Sequence, residues 1–371
     1  MKHGFFGLVV VAATIAVLGF AGGAAAIELG DMLSIEGDLA AAYQYQSLSR
    51  APDHDNKGRG ALVFQPTLRL QLTEKDVIQA GFGFAAGNAL NDGHSPFALV
   101  PWAADLEGDV KGIGGRDRDY LLTAWYARRL ALGAFGDLEV VGGLINAADY
   151  LDDNAFANDE FGQFMNEALV NSPTVFLPAF DLGGALQYEL GNWHARAVVM
   201  DVAGDEEDAG HHFYGAQIGY RLDLGLGEGN YRLAVAGTGK KFDGPDSEAD
   251  QALLGGVLSF DQELGDTYGV WLRLGHQDND ALIAHRNLYA AGIDIKGGLW
   301  GRGEDNIGFG YALLDGGNDD IDRSQVAELY YRWVFNEYSA VSLNFQYQED
   351  EDNDGNKPRG LISGVRFVAS F

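Results

Sequence analysis

The chain has 371 residues, no cysteine and a formal net charge of −29, with a pI near 4.4. So acidic a surface repels phosphate groups, which argues against nucleic acid as a partner, and a chain without cysteine gains no stability from disulfides. Hydrophobic residues make up 47% of the sequence, yet beyond the N-terminal segment no run of about 18 apolar residues predicts a membrane-spanning helix.

Residues 1–26 have the pattern of a secretory signal peptide. Lys2 supplies the basic start, an apolar run follows, and Ala24, Ala25 and Ala26 fit the small-residue cleavage site. A membrane anchor helix is the alternative, although the apolar run is short for a span. We therefore expect an exported protein with one folded domain over residues 27–371.

Most of that domain alternates apolar and polar residues with the period of a β-strand. In Ala61–Leu72 the leucines stand at even positions, whereas Gln65, Thr67 and Arg69 stand at odd positions. Tyr214–Leu224 and Val341–Gln348 divide in the same way. Alternate side chains of a strand point to opposite faces, so each segment has one apolar and one polar face. This pattern fits a soluble β-sandwich as well as a membrane β-barrel.

The number of strands and the connectors between them favour the barrel. Connectors alternate between tight turns and long, charged loops, as the periplasmic turns and extracellular loops of bacterial outer-membrane barrels do. We therefore predict an all-β fold, a transmembrane antiparallel β-barrel of about sixteen strands. The strands are predicted at residues 33–46, 60–72, 76–87, 119–132, 137–148, 179–190, 193–203, 211–224, 230–241, 250–262, 267–276, 287–296, 305–314, 323–334, 338–348 and 359–371.

The connector between the fifth and sixth strands includes Tyr150–Pro173, which does not follow the alternation of apolar and polar residues. Asn158 can cap a helix, with Asp159 and Glu160 in its first turn, and apolar residues then recur at helical spacing over 161–169. A barrel of sixteen strands leaves an aqueous channel. We expect a short helix in this third extracellular loop, folded toward the lumen, to narrow it; a helix lying over the mouth is the alternative.

Two segments carry a resemblance to a known family. The run GGLINAADYLDDNAFANDEFGQFMNEALVNSP, together with RWVFNEYSAVSLNFQYQ and the terminal Phe371, resembles segments of the carbohydrate-selective porins of the OprB type. In that family a similar acidic stretch leads into a short helix after the fifth strand. The resemblance implies an outer-membrane porin for passive, selective diffusion of small carbohydrates, with no enzymatic activity and no cofactor. A general cation-preferring diffusion porin without a sugar site is the alternative.

We expect acids of the third loop to face arginines of the barrel wall across the pore constriction. Opposed charges and forked guanidinium groups suit sugar hydroxyls, and an aromatic face suits a pyranose ring. Alternatively, these groups line water or pair with one another. The predicted acids are Asp152, Asp153, Asp159, Glu160 and Glu167. The arginines with inward strand parity are Arg69, Arg129, Arg196, Arg221, Arg232, Arg273 and Arg332, and the inward tryptophans are Trp125 and Trp271. Glu328 and Arg366 share the inward parity.

Partners and localisation follow from the same interpretation. We expect an integral protein of a Gram-negative outer membrane that contacts lipid and lipopolysaccharide and passes small saccharides and ions. A C-terminal aromatic such as Phe371 resembles the signal that the barrel assembly machinery reads. The oligomeric state is open, and a homotrimer is one option.

Two motifs in the acidic loops suggest other chemistry. Asp350, Asp352 and Asp354 match the start of a calcium loop, but Leu361 stands where the final glutamate is required. His211 and His212 follow four acids, which leaves a surface hydrolase as a remote alternative. We expect solvated loops and no metal site.

Overall fold

Sixteen antiparallel strands form one closed sheet in the computed structural model, which describes residues 26–30, 32–51, 53–116, 118–204, 210–223, 225–245 and 247–371. The predicted signal peptide, residues 1–26, lies outside this part of the chain except for its last residue. The strands are β1 (Leu33–Ser49), β2 (Lys57–Thr73), β3 (Asp76–Phe82, continued by Phe84–Ala86), β4 (Leu121–Ala131), β5 (Asp137–Ile145), β6 (Asp181–Leu190), β7 (Trp193–Val202), β8 (His211–Asp223), β9 (Glu228–Thr238), β10 (Leu254–Leu264), β11 (Tyr268–Gln277), β12 (His285–Lys296), β13 (Asn306–Gly316), β14 (Ile321–Asn336), β15 (Ser339–Asp352) and β16 (Arg359–Ser370).

The first and last strands pair and close the barrel. β1 and β16 run antiparallel with a register from Asp38 opposite Ser370 to Ser49 opposite Arg359. Every other strand pairs with its neighbours in sequence. Closure leaves the wall without an unpaired edge, so backbone hydrogen bonds are satisfied within it. The predicted sixteen-stranded barrel is confirmed.

Two short elements are additional to the sixteen strands of the barrel. Ile27–Leu29 pairs with the start of β1, and Phe242–Gly244 pairs with Ser247–Gln251 in the connector between β9 and β10. Most connectors at one end of the barrel are tight turns, although residues 297–305 form a longer one, and most at the other end are longer, although residues 317–320 are only four. We call these two ends the short-turn end and the long-loop end.

The outer surface of the wall is apolar and the inner surface is polar. On β8, Ile218 points outward and is 50% exposed, whereas its neighbour Gln217 points inward and is 3% exposed. On β15, Leu343 and Asn344 divide in the same way. An outward apolar band around a polar interior is the arrangement that lipid requires of a spanning barrel.

Two of the long connectors fold into the lumen. We call residues 87–120 L2 and residues 146–180 L3. L3 contacts inward side chains of β8, β10, β11, β14 and β16, and L2 contacts β1, β2 and β15. The inward placement of L3 confirms the prediction from the sequence, whereas no pattern in the sequence predicts the inward placement of L2.

The helix in L3 is shorter than its sequence indicates. The structure has one α-helix there, α1 (Glu167–Val170), capped by Asn166, whose side chain accepts a hydrogen bond from the Ala168 N–H. Upstream, Asp159 accepts from the Phe161 N–H, and Gln163 bonds to the backbone of Asn158 and Ala155. These side chains compete with helical backbone pairing. The predicted start at Asn158 is therefore wrong.

Short 3-10 turns complete the helical content. They occur at Ile113–Gly115 in L2, at Gly133–Phe135, at Ala147–Asp149 and Pro173–Val175 in L3, and at Gly297–Trp300. Within the described residues, none of the helices is long and apolar enough to cross a membrane.

Candidate pore constriction

A fully buried ion pair fastens L3 to the wall. Asp152 adopts a left-handed backbone conformation, with φ of 61°, and its Oδ1 lies 2.9 Å from Nε of Arg273; neither side chain is exposed. The guanidinium also donates to the carbonyl oxygens of Asp152, Ala157 and Leu169, at 2.8–3.2 Å. These two predicted constriction residues therefore anchor the loop and do not line water.

A second set of charges holds the adjacent residue, Asp153. Its carboxylate lies 3.1 Å from Nε of Arg232 and 3.3 Å from Nη1 of Arg196, and it accepts a hydrogen bond from Gln217 at 2.6 Å. Arg232 also pairs with Asp261 at 2.5 Å. Although burial desolvates the carboxyl, the two guanidinium groups hold the pKa of Asp153 below its usual range.

Glu328 of β14 and Arg366 of β16 hold the middle of L3. Glu328 accepts hydrogen bonds from the backbone N–H groups of Met165 and Asn166, each at 2.9 Å to the nearer oxygen. Arg366 donates to the carbonyls of Glu160 and Gln163, each at 2.7 Å. Charged groups thus bond directly to loop backbone, and such bonds are stronger than neutral ones.

Four predicted arginines lie away from L3. They are close to the short-turn ends of their strands: Arg69, Arg129, Arg221 and Arg332. Arg129 pairs with Asp137 at 2.9 Å and Arg221 with Glu189 at 3.6 Å, and both side chains are about half exposed. Some of the predicted arginines therefore hold L3 in place, whereas these four lie near the short-turn end of the barrel.

The two inward tryptophans are covered by other side chains. Trp271 is 3% exposed and meets the edge of Phe164 of L3, with ring centroids 5.6 Å apart. Gly292 and Gly310 leave the room that its ring occupies. Trp125 packs against an apolar cluster that includes Tyr150. Trp271 in particular has no open face for a sugar ring in this conformation.

One cavity lies between the two inward loops. A cavity of about 540 Å³ is bounded by L2 and L3, and its amide groups come from Asn146, Asn158 and Asn171. Its charged groups are all carboxylates. They are Asp105, Asp149, Glu160 and Glu167.

The carboxyls of this cavity ionise less readily than isolated ones. Burial raises the pKa of Asp105 to about 7, of Asp149 to about 6 and of Glu160 to about 8. Like charges reinforce the effect of burial, because Asp159 and Asp105 raise the pKa of Glu160, and Asp109 and Asp149 raise the pKa of Asp105. Burial also raises the pKa of Glu167, whose carboxylate accepts from the Val100 N–H at 3.1 Å. Asp159 is exposed.

Of the predicted acids, Glu160 and Glu167 therefore line the cavity, whereas Asp105 and Asp149 were not predicted. L2 has no strand or helix periodicity to signal that Asp105 faces the lumen. Asp149 sits in the quoted GGLINAADYLDD run, one residue before the stretch that predicted the helix.

The residues of the calcium-like motif organise their own loop. Asp350 accepts from the Ala98 N–H at 2.7 Å, which fixes L2 to β15. Asp352 accepts from the backbone N–H groups of Asp354 and Asn356. Their oxygens thus serve as turn and loop acceptors.

Known proteins resemble this chain in sequence or in fold. No family model matches the sequence. An uncharacterized protein of Aquifex aeolicus is 26% identical over 294 residues, which cover 79% of this chain and 83% of that protein.

Two solved structures cover nearly the whole chain. The high-pH structure of Pseudomonas putida OprB matches with a TM-score of 0.73 at 15% identity, over 92% of this chain and 94% of that one. The outer membrane channel DcaP of Acinetobacter baumannii matches with a TM-score of 0.60 at 10% identity, over 94% and 100%. The resemblance predicted from the sequence is thus confirmed at the level of the fold: this chain has the sixteen-stranded barrel fold of the OprB-type porins.

Proposed function

We propose that this protein is an outer-membrane porin, a water-filled channel for passive, selective diffusion of small carbohydrates. The observation that carries the proposal is the cavity of about 540 Å³ between L2 and L3. Its size falls within the range of about 300–1,000 Å³ that small-molecule sites occupy. The barrel supplies the width, and the two loops reduce it to the scale of one solute.

The lining of the cavity suits a neutral polyhydroxylated solute. Sugar hydroxyls both donate and accept hydrogen bonds; carboxylates accept them, and the amides of Asn146, Asn158 and Asn171 do both. Phe176 adds an aromatic side chain to the same lining, and such a face suits the apolar side of a pyranose ring. In this proposal, sugars contact the carboxylates and Phe176 of this cavity. The sequence instead predicts the wall arginines, Trp125 and Trp271 as sugar contacts.

A general cation-preferring diffusion porin is the second candidate. The observation that favours it is the acidic lining, because fixed carboxylates concentrate cations in a narrow channel. The two candidates differ in whether a sugar binds on its way through the channel.

Reconstitution of the purified protein separates them. In planar bilayers, a sugar that binds in the constriction interrupts the ion current, and in proteoliposome swelling it enters faster than a non-sugar solute of equal size. We expect both effects with neutral monosaccharides or disaccharides. Open channels whose current is unaffected by millimolar sugar, with swelling rates ordered by size alone, would leave the cation-preferring porin. Absence of any channel would remove both candidates.

The same proposal covers the export of the protein, its membrane location and its assembly. Export by the signal peptide, contact with outer-membrane lipid and lipopolysaccharide, and a homotrimeric assembly all fit a porin. Phe371 pairs with Gly37 through two backbone hydrogen bonds and stacks near Phe64 at the end of β16. This position suits a terminal signal read by the assembly machinery before β1 and β16 close.

A further inference from the structure

Two cavities inside the barrel share three lining residues, and we call the place where they adjoin the junction. The first, of about 540 Å³, is lined by L3 together with Ala103 and Asp105 of L2. The second, of about 500 Å³, is lined by L2 and by Glu167 of L3. Ala103, Asp105 and Glu167 belong to both linings. As far as the described residues show, no wall strand lines either cavity.

L2 is a fixed boundary at this junction because the wall holds it at several points. The carbonyl of Pro101 accepts hydrogen bonds from Gln44 at 3.1 Å and from Gln346 at 2.9 Å. Asp105 itself accepts from the wall residue Gln65 at 3.0 Å. An amide donor at that distance sets the direction of the carboxylate.

L2 is also bonded to L3 along the same stretch. The N–H of Ala103 donates to the carbonyl of Met165 at 2.8 Å, and the indole N–H of Trp102 donates to the carbonyl of Glu160 at 3.0 Å. Val100 and Glu167 exchange a further pair of bonds. The distance between the loops is therefore set by direct hydrogen bonds.

The charges around the junction are of one sign. Arg196, Arg232, Arg273 and Arg366 bond to the buried side of L3. Within the described chain, no lysine or arginine lines either cavity. A solute at the junction thus meets carboxyl groups whose negative charge appears as the pH rises through their raised pKa values, and among the described residues neither lining holds a lysine or arginine to balance an anionic group.

We propose that solutes pass through these two cavities, alongside the stretch where L2 and L3 bond to each other, and that Asp105 of L2 is a specificity-determining residue that admits neutral polyhydroxylated solutes and cations and excludes anionic ones. The proposal rests on the proposed porin function and adds that L2, as well as L3, selects which solutes pass. A sugar acid or sugar phosphate of suitable size would be excluded by charge, because its anionic group would lie beside Asp105.

Ion selectivity of single variants tests the role of Asp105. In planar bilayers under a KCl gradient at about pH 9, where Asp105 is ionised, Asp105→Asn should lower the cation-to-anion permeability ratio by about two- to fivefold, because one charge leaves a narrow, poorly screened passage. Asp105→Glu should retain the wild-type ratio. The matched control is Asp354→Asn, an exposed acid of the loop between β15 and β16, which should have little effect. In liposome swelling, Asp105→Asn should admit glucuronate faster while the rate for glucose changes little.

The wild-type protein supplies a second test that needs no variant. The pKa of Asp105 is raised to about 7, so its negative charge appears as the pH rises through that value. Cation preference should therefore increase between about pH 5 and about pH 9, and Asp105→Asn should remove the central part of the rise. Other titratable or charged groups face this carboxyl or its neighbour Glu160. They are Asp109, Asp149, Asp159 and Arg366.

The outcomes separate this proposal from the function on which it rests. Channels that pass sugar but show equal ion selectivity in the wild type and in Asp105→Asn would contradict the role of Asp105 and leave the proposed porin function in place. A cation preference that stays constant over the pH range would contradict that role as well. A protein without channel activity would instead remove the proposed function.

Discussion

Arg273 holds L3 through four hydrogen bonds from a fully buried position. Its partner Asp152 is equally buried and also accepts the Ser172 N–H at 2.6 Å. The two opposite charges lie 2.9 Å apart and largely cancel at a distance, so the pair adds little to the field in the channel. Their effect on transport comes through the position of the loop backbone.

Replacement of this arginine should loosen L3 without opening the barrel. Arg273→Met leaves the Asp152 carboxylate buried without its partner, a change that typically destabilises by about 3–5 kcal/mol. The wall strands pair independently of L3, so the loss should be local. We expect faster proteolysis within residues 146–180 and single-channel currents with more sublevels than in the wild type.

Arg221→Met is the matched control for that variant. Arg221 is about half exposed and lies 3.6 Å from Glu189 near the short-turn end, where an ion pair contributes about 0–1 kcal/mol. Its channels should resemble the wild type. Equal stability and equal current noise in Arg273→Met and Arg221→Met would show that the buried pair does not position L3.

At the scale of elements, the one-turn helix α1 depends on its cap. The Asn166 side chain accepts from the Ala168 N–H at 3.1 Å, and Asn166 is fully buried. Loss of such a cap costs about 1 kcal/mol. The cap predicted from the sequence, Asn158, instead accepts a hydrogen bond from the Asn171 side chain.

Asn166→Ala should therefore speed amide exchange in α1 more than Asn158→Ala does. A loss of about 1 kcal/mol corresponds to about fivefold faster exchange at Ala168, which hydrogen-exchange mass spectrometry of the α1 peptide measures. Asn158→Ala should leave that peptide close to wild type. The reverse order would mean that the helix begins at Asn158 in solution.

Elements differ in how far the sequence predicts them, and the reason is the range of the interactions involved. Strands such as β2 and β8 follow from alternation within ten residues, and the same alternation on β11 and β14 places Arg273 and Glu328 correctly on the luminal face. L2 is fixed by Pro101 bonding to Gln44 and Gln346, residues far away in sequence. No local pattern carries that information, so the inward position of Asp105 was not predicted.

At the scale of the molecule, each strand of the wall carries apolar side chains on its outer face and polar side chains on its inner face. Ile218 lies near the middle of β8 with its side chain outward and 50% exposed, beside Leu233 on β9, which is 45% exposed. Large exposed aliphatic residues recur around the wall. A surface of this kind is stable against hydrocarbon and unfavourable against water.

A charged side chain in this band should destabilise the barrel according to its depth in the bilayer. Ile218→Arg places a guanidinium near the midplane, where a barrel loses about 2–4 kcal/mol. Leu226→Arg is the matched control, because Leu226 is 51% exposed in the turn between β8 and β9, at a level where the loss is about 0–1 kcal/mol. Denaturant titration of the protein folded into phospholipid vesicles gives the free energy of unfolding for each. Equal losses at the two positions would contradict a hydrocarbon layer around the middle of the wall, whereas a larger loss at Ile218 locates that layer between the two ends of β8.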